Sequence, residues 1–269
     1  MKILSLNCWS GRVPTLVDYL RSVRADIYCL QEVLNSPPET PDMLYFGEQG
    51  SSPEAQRTKL YAEICAALPG YQAFHLPAAQ GYLHDGAKTE YKSQYGIATF
   101  VGPGIPIISS VSDFVFGKYR KTNWDAPPLP RQAHAVRVWD YDHDAALVVG
   151  HMHGLWLDNK KADTSARNDQ ALNFRELVRG IYRDGDGIVA CGDWNVLPDS
   201  QTFEIMSKLE LEDLVTGRGH TDTRTSYYKK PIRFADYMMV SPSLFRCHFE
   251  VVTNPEVSDH RALLIDTLK

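Results

Sequence analysis

The sequence predicts an α/β fold built as one large domain over residues 1–269, and three observations carry that prediction. The chain has 269 residues, 43% of them hydrophobic, which is enough to bury a large core. Apolar runs of strand length recur, bounded by Gly, Pro, Asn or Asp. Between some of them lie segments whose apolar residues repeat at helical spacing. No internal repeat, low-complexity tract or long linker divides the chain.

Residues 2 to 9 (Lys-Ile-Leu-Ser-Leu-Asn-Cys-Trp) read as a strand ending near Asn7, and Pro14 opens a helical pattern through Leu16, Leu20 and Val23. A second strand, Asp26 to Val33, runs Ile-Tyr-Cys-Leu into Gln31-Glu32. Glu32 either reaches solvent or, if buried behind such a run, needs a partner or a metal. Asn35 to Pro53 reads as a surface loop, and Glu54 to Leu68 as an amphipathic helix closed by Pro69-Gly70. Strands are then predicted at Tyr71 to Leu76, Tyr95 to Val101, Ile105 to Phe116, Ala133 to Trp139 and Ala145 to His151. Thr164 to Arg183 reads as a long helix with Leu172 and Leu177 inward. The run Ile188 to Cys191 is a buried strand, Ser200 to Leu209 a helix, Ile232 to Val240 a strand interrupted by Asp236, and Ala262 to Ile265 the last strand.

Composition narrows the function. A net charge of -5 supplies no global polycation for nucleic acid, so a polyanion must be met by local patches or by metal. The five cysteines are odd in number, widely spaced and mostly inside apolar runs, which reads as reduced thiols and a cytoplasmic setting. The apolar run before Asn7 and Arg12 is too short for a signal peptide, and no segment reaches the roughly 20 apolar residues of a membrane span.

Chemistry concentrates at the predicted strand ends. Asp193 and Asn195, two apart in Gly192-Asp193-Trp194-Asn195, leave an extended chain on one side, an anionic oxygen beside an amide; both are also ordinary turn formers. His151-Met152-His153 ends another strand and offers a working histidine with a packing neighbour, or a zinc pair. A mid-strand Asp236 needs a partner, and Ser258-Asp259-His260-Arg261 supplies an imidazole. Carboxylate and amide oxygens without thiolate suit magnesium or manganese, and the companion chemistry is phosphoester hydrolysis. The loop Gly117 to Pro130 carries Lys118, Arg120, Lys121, Tyr119 and Trp124, and Gly217 to Arg233 carries Arg218, Arg224, Lys229, Lys230 and Arg233 with Tyr227 and Tyr228. Such loops either meet phosphates and bases or are solvated surface.

Seven stretches in order, Leu6-Asn7-Cys8-Trp9, Leu30-Gln31-Glu32-Val33, Tyr95-Gly96-Ile97-Ala98, His151-Met152-His153, Gly192-Asp193-Trp194-Asn195, Phe234-Ala235-Asp236-Tyr237 and Ser258-Asp259-His260-Arg261, resemble the endonuclease/exonuclease/phosphatase superfamily over nearly the whole chain. The resemblance implies a four-layer α/β sandwich, two central mainly antiparallel sheets face to face with helices outside. It implies Glu32 as principal Mg²⁺ or Mn²⁺ ligand, with Asn7 and Asp259 close enough to hold the same or a second ion. Asp193 would orient or deprotonate water, Asn195 would fix Asp193 and the phosphate, and His260, aligned by Asp236, would serve the scissile phosphate opposite His153. Arg131 loosely matches a phosphate-contacting arginine, and Lys121, Trp124 and Arg224 are further candidates for binding substrate. Ser93 and Gln94 stand where some relatives place a Glu that pairs with the first histidine, and His151 stands where many have Asn.

The preferred substrate is a phosphodiester, nucleic-acid-like, on the strength of the basic, aromatic loops. The alternatives are a phosphatase or phospholipase-C-like enzyme of the same fold, a zinc hydrolase using His151 and His153, and a catalytically silent binding module. No protein partner is indicated.

Overall fold

The computed structural model describes residues 1–46, 54–87, 89–122, 127–157 and 161–267. In chain order the strands are β1 (Lys2–Asn7), β2 (Ile27–Asn35), β3 (Met43–Phe46), β4 (Glu54–Arg57), β5 (Gln72–His84), β6 (Glu90–Val101), β7 (Ile107–Phe116), β8 (Arg131–Asp140), β9 (Ala145–His153), β10 (Gly187–Asp193), β11 (Glu212–Asp213), β12 (Asp236–Val240), β13 (His248–Val251) and β14 (Leu263–Asp266). The helices are α1 (Leu16–Val23), α2 (Leu60–Ala67), α3 (Ser165–Ile181), α4 (Gln201–Ser207) and α5 (Leu214–Gly217).

Among the described residues two mixed sheets form, one ordered β13-β14-β1-β2-β6-β5-β3-β4 and the other β11-β12-β10-β9-β8-β7. Their inner faces share one core, with Ile3, Ile27 and Cys29 from the first sheet and Val136, Val149, Val189 and Met239 from the second. Leu16 and Leu20 of α1 and Leu60 and Ile64 of α2 cover the other face of the first sheet, against Leu4, Leu6, Tyr28 and Leu30. Helix α3 lies on the second sheet through Phe174 and Val178, with Thr164 as its cap accepting from Arg167 N–H. The architecture is therefore the α/β sandwich that the sequence predicts. No described helix is long and apolar enough to cross a membrane.

Local departures have physical causes. Residues 54–57 pair with β3 in place of opening a helix, and Thr58 Oγ1 donates to the Pro41 carbonyl at 2.6 Å, so the helix begins only at Leu60. Cross-strand pairing thus overrides a helical pattern. The predicted surface loop contains β3 for the same reason. Leu172 is 37% exposed, because Ala171, Phe174 and Val178 define the inward stripe together with Leu177. Asp236 heads β12 rather than interrupting a longer strand, since the Phe234 and Ala235 carbonyls are taken by Lys161 Nζ and by the Trp194 and Asn195 N–H groups.

A buried polar chain crosses between the sheets. Gln31 Nε2 donates to the Cys29 carbonyl at 3.0 Å and meets His151 Nδ1 at 3.3 Å. His151 Nε2 then meets Thr99 Oγ1 at 2.8 Å, Thr99 Oγ1 meets His134 Nδ1 at 2.7 Å, and His134 Nε2 meets Ser110 Oγ at 2.8 Å. Because the Gln31 amide nitrogen can only donate, His151 Nδ1 is a lone pair, Nε2 carries the proton, and the sense of every later bond follows. Both ring nitrogens of His151 are thereby occupied, which removes the zinc pair with His153. Burial lowers His134 to about 4 and holds His151 well below the ordinary imidazole value.

Candidate active site

Strand register brings the polar ends together. Asp193, the last residue of β10, pairs with His153 of β9 on one side and Asp236 of β12 on the other. Gly192 precedes it with φ +128, and a Cβ there would lie 2.1 Å from the Met152 carbonyl oxygen, so only glycine lets β10 approach β9 this closely. In the other sheet Asn7 pairs with Gln31, and the β2–β6 register slips between Leu30 and Val33. Glu32 sits in that bulge at φ 57, a left-handed conformation that a non-glycine residue adopts at a cost, and the bulge turns its side chain toward the cavity. An isolated bridge sets Arg224 beside His260, while Ser258 Oγ donates to the Asn7 carbonyl at 2.7 Å and accepts from His260 N–H at 3.2 Å.

Asn7 Nδ2 donates to Glu32 Oε1 at 3.1 Å and to Asp193 Oδ2 at 3.0 Å, while its Oδ1 accepts from the Trp9 N–H at 3.0 Å. Its oxygen is therefore engaged by a backbone donor. Asn7 holds two carboxylates by its nitrogen. Asp193 Oδ2 also lies 3.8 Å from His153 Nε2 and 3.7 Å from His260 Nε2, and its Oδ1 accepts from Asn195 N–H at 3.1 Å. Asn195 Nδ2 donates to the Gly154 carbonyl at 3.3 Å.

His260 Nδ1 lies 2.9 and 2.8 Å from the two oxygens of Asp236. Arg224 Nη1 bonds His260 Nε2 and donates to Asp259 Oδ2 at 2.8 Å. Arginine only donates, so His260 Nε2 is a lone pair and Nδ1 carries the proton toward Asp236. Burial and then the Arg224 charge lower His260 to about 4, and burial raises Asp236 to about 7. Arg131 Nη1 stands 3.1 Å from His153 Nδ1 and 3.2 Å from Nε2, and burial followed by this charge keeps His153 well below the usual range.

A cavity of about 290 Å³ opens over these groups and is lined by Glu32, Asp193, Asn195 and Asp259, by His153 and His260, by Arg12, Arg131, Lys161, Arg224 and Lys230, and by Trp9, Trp156 and Tyr228. Asp236 stands behind His260. Lys121 is exposed and does not line the cavity; its carbonyl accepts from Gln80 Nε2 at 3.5 Å. Trp124 lies outside the described residues. Lys161 is what sequence reasoning misses: it is buried, its Nζ donates to the Phe234 carbonyl at 2.5 Å, and burial lowers it to about 8. A lysine in a loop gives no periodic signal, and only the position after β9 could have raised it.

The donor set fits a hard divalent ion. Burial raises both Glu32 and Asp259, with the Asp193 charge pushing Glu32 further, and Asp259 Oδ1 is buried without a hydrogen-bond partner among the described residues. Carboxylates gathered this closely need a neutralising charge. Asp193, Asp236 and His260 also present possible ligand atoms within 4.8 Å of one another. Since His260 Nδ1 faces Asp236 and Nε2 faces Arg224, that trio serves first as a hydrogen-bonded unit.

Fold and site together define a phosphoester hydrolase of the metal-dependent, two-sheet class. The chain belongs to the endonuclease/exonuclease/phosphatase family, whose model matches residues 4–260. It is similar to a Bacteroides vulgatus endonuclease/exonuclease/phosphatase (17% identity, 98% of this chain and 97% of that one, TM-score 0.65) and to a mannosyl-6-phosphatase of Bacteroides thetaiotaomicron (16%, 99% and 98%, 0.64). The human Nocturnin catalytic domain (16%, 99% and 92%, 0.64) shares the fold as well. Comparison with curated protein sequences gives no significant match.

Proposed function

We propose that the protein hydrolyses a small organic phosphoester with a magnesium-type ion, Glu32 and Asp259 holding the metal beside Asp193. One observation carries the choice of substrate: Arg12, Arg131, Lys161, Arg224 and Lys230 converge on a single cavity of about 290 Å³. Cations gathered at one point suit a compact, highly charged phosphoryl group. The other cations of the loop 217–233 are spent elsewhere. Arg218 donates to the Cys247 and Phe245 carbonyls, Arg233 to Asp222, and Lys229 to the Ser226 carbonyl. This argues against an extended phosphate-tracking groove, although a nucleic-acid end remains the second reading, supported by the likeness to a zebrafish TDP2 solved with a single-stranded DNA product (14% identity, 98% of this chain and 97% of that one, TM-score 0.60).

A bound ion would neutralise charge on the phosphoryl oxygens. The residues around it divide the rest of the work. Arg131 and Arg224, which both line the cavity, hold those oxygens. Asp193 orients a water and takes its proton at Oδ2, with Asn7 fixing that oxygen and Asn195 the other. His260, backed by Asp236, fixes Arg224 through its Nε2 lone pair. The free cysteines suit a reducing, cytoplasmic setting.

The test is a screen of the purified chain against sugar phosphates, a chromogenic diester, oligonucleotides, sphingomyelin and phosphoinositides, with chelator and with magnesium restored. Turnover of small esters that vanishes on chelation and returns with magnesium is expected. Activity confined to oligonucleotides and falling steeply with salt would overturn the substrate assignment. Turnover that survives chelation would overturn the metal.

A further inference from the structure

A second cavity of about 160 Å³ adjoins the first and shares two of its walls, Arg12 and Glu32. Its other lining is mostly apolar: Leu34, Leu83, Leu129, Phe46 and Tyr95, with Ser10 and Gln56. Leu34 and Leu83 belong, with Leu44 and Ala79, to a small apolar cluster separate from the two main cores, against which Tyr95 and Leu129 pack. The Tyr95 ring, 6.2 Å from that of His153, stands where the two spaces meet.

The contrast between neighbours is chemical. One space is lined by cations and acids, the other chiefly by leucine and aromatic carbon, and a single ligand reaching across Glu32 would touch both. A dry cavity of roughly 150 Å³ accommodates one six-membered ring. Resting on the phosphoester reading above, we infer that this recess is the subsite for an apolar or aromatic ring esterified to the phosphoryl group, so that the substrate is an organic phosphate carrying such a ring close to phosphorus. A purely polar substituent would leave the recess wet and gain nothing from it. A ring would exchange water for Leu34, Leu83, Leu129 and Phe46, an exchange of the size that gives about ten- to hundredfold in affinity.

The occupant is argued from continuity with the phosphate cavity, and the test reads binding before turnover. Phenylphosphonate and methylphosphonate carry the same anion and differ only in the group that would enter the recess. Calorimetric titration of the full chain with magnesium present should show phenylphosphonate binding at least about tenfold tighter. The double variant Phe46→Ser, Leu129→Ser alters one exposed and one half-buried wall and spares the main cores; it should erase that preference while leaving methylphosphonate affinity within about twofold. Equal affinities in the unaltered protein, binding of neither phosphonate, or a preference that survives in the variant would each overturn the subsite. Selective binding of phenylphosphonate without hydrolysis of any ester in the screen would keep the subsite and sink the hydrolytic reading, so the two fail separately.

Discussion

His153 and His260 both approach Asp193 Oδ2, at 3.8 and 3.7 Å, and both meet an arginine, yet they are wired differently. His260 has a carboxylate behind it, Asp236, and turns a lone pair toward Arg224. His153 has no such acid within hydrogen-bond distance: Arg131 Nη1 lies almost equally near both ring nitrogens, at 3.1 and 3.2 Å, and Glu32 Oε1 and Asp193 Oδ2, each 3.8 Å from Nε2, favour the proton there. One imidazole is therefore oriented as an acceptor with an acid that can share its proton. The other is a neutral donor aimed at carboxylates. Similar residues at similar distances acquire different properties from what stands on the far nitrogen.

The group common to both should show the largest effect. Asp193→Ala removes the oxygen that both imidazoles and Asn7 address, and turnover is expected to fall at least ~100-fold, with circular dichroism unchanged. Near-normal turnover would remove Asp193 from the chemistry. Next comes the difference itself. Asp236→Asn lets an amide nitrogen compete for Nδ1 and push the proton to Nε2, where it would confront Arg224; kcat should fall on the order of 100-fold. Arg131→Lys leaves a charge near His153 but loses the planar fork, so KM should rise about tenfold with kcat less affected. Equal kcat losses in both variants would erase the asymmetry. Nitrogen-15 chemical shifts of the two rings give a direct reading: a proton on Nδ1 in His260 and on Nε2 in His153 is expected, and one tautomer in both rings would break the comparison.

Much of the contrast is readable from sequence, and the limits are instructive. Asn7, Glu32, His153 and Asp193 stand out because polar residues directly after apolar runs have few reasons to be there. The order of the strands, by contrast, is a matter of long-range register, so that Asp193 lies between His153 and Asp236 is not written locally. The left-handed bulge at Glu32 has no glycine to advertise it. The basic loop 217–233 reads as one patch, but its arginines separate in space, Arg224 entering the cavity while Arg218 and Arg233 bind carbonyls and Asp222 elsewhere. Lys161 carries no periodic signal, since its importance comes from burial beside acids brought in by other elements.

The smallest expected effect is on stability, and it separates the two histidines by sign. A buried imidazole held below its ordinary pKa binds fewer protons folded than unfolded, so stability rises as pH climbs toward 6.5 and is complete above it. His153 follows that rule, as the buried His134 and His151 do. In the other pair, His260 is lowered to about 4 while Asp236 is raised to about 7, against 6.5 and 3.8 when unfolded. The two shifts have opposite signs, so their contributions to the pH dependence of stability oppose each other. Removing His153 as His153→Gln should therefore flatten the fall in Tm between pH 6.5 and 5, by at most about 1.4 kcal/mol per pH unit, a few degrees for a chain of this size. The double variant Asp236→Asn, His260→Gln should shift Tm at every pH but leave that slope nearly as it was. Thermal melts of the three proteins across this range decide it: a slope that changes in the double variant and persists in His153→Gln would mean that the isolated imidazole is the one already sharing its proton.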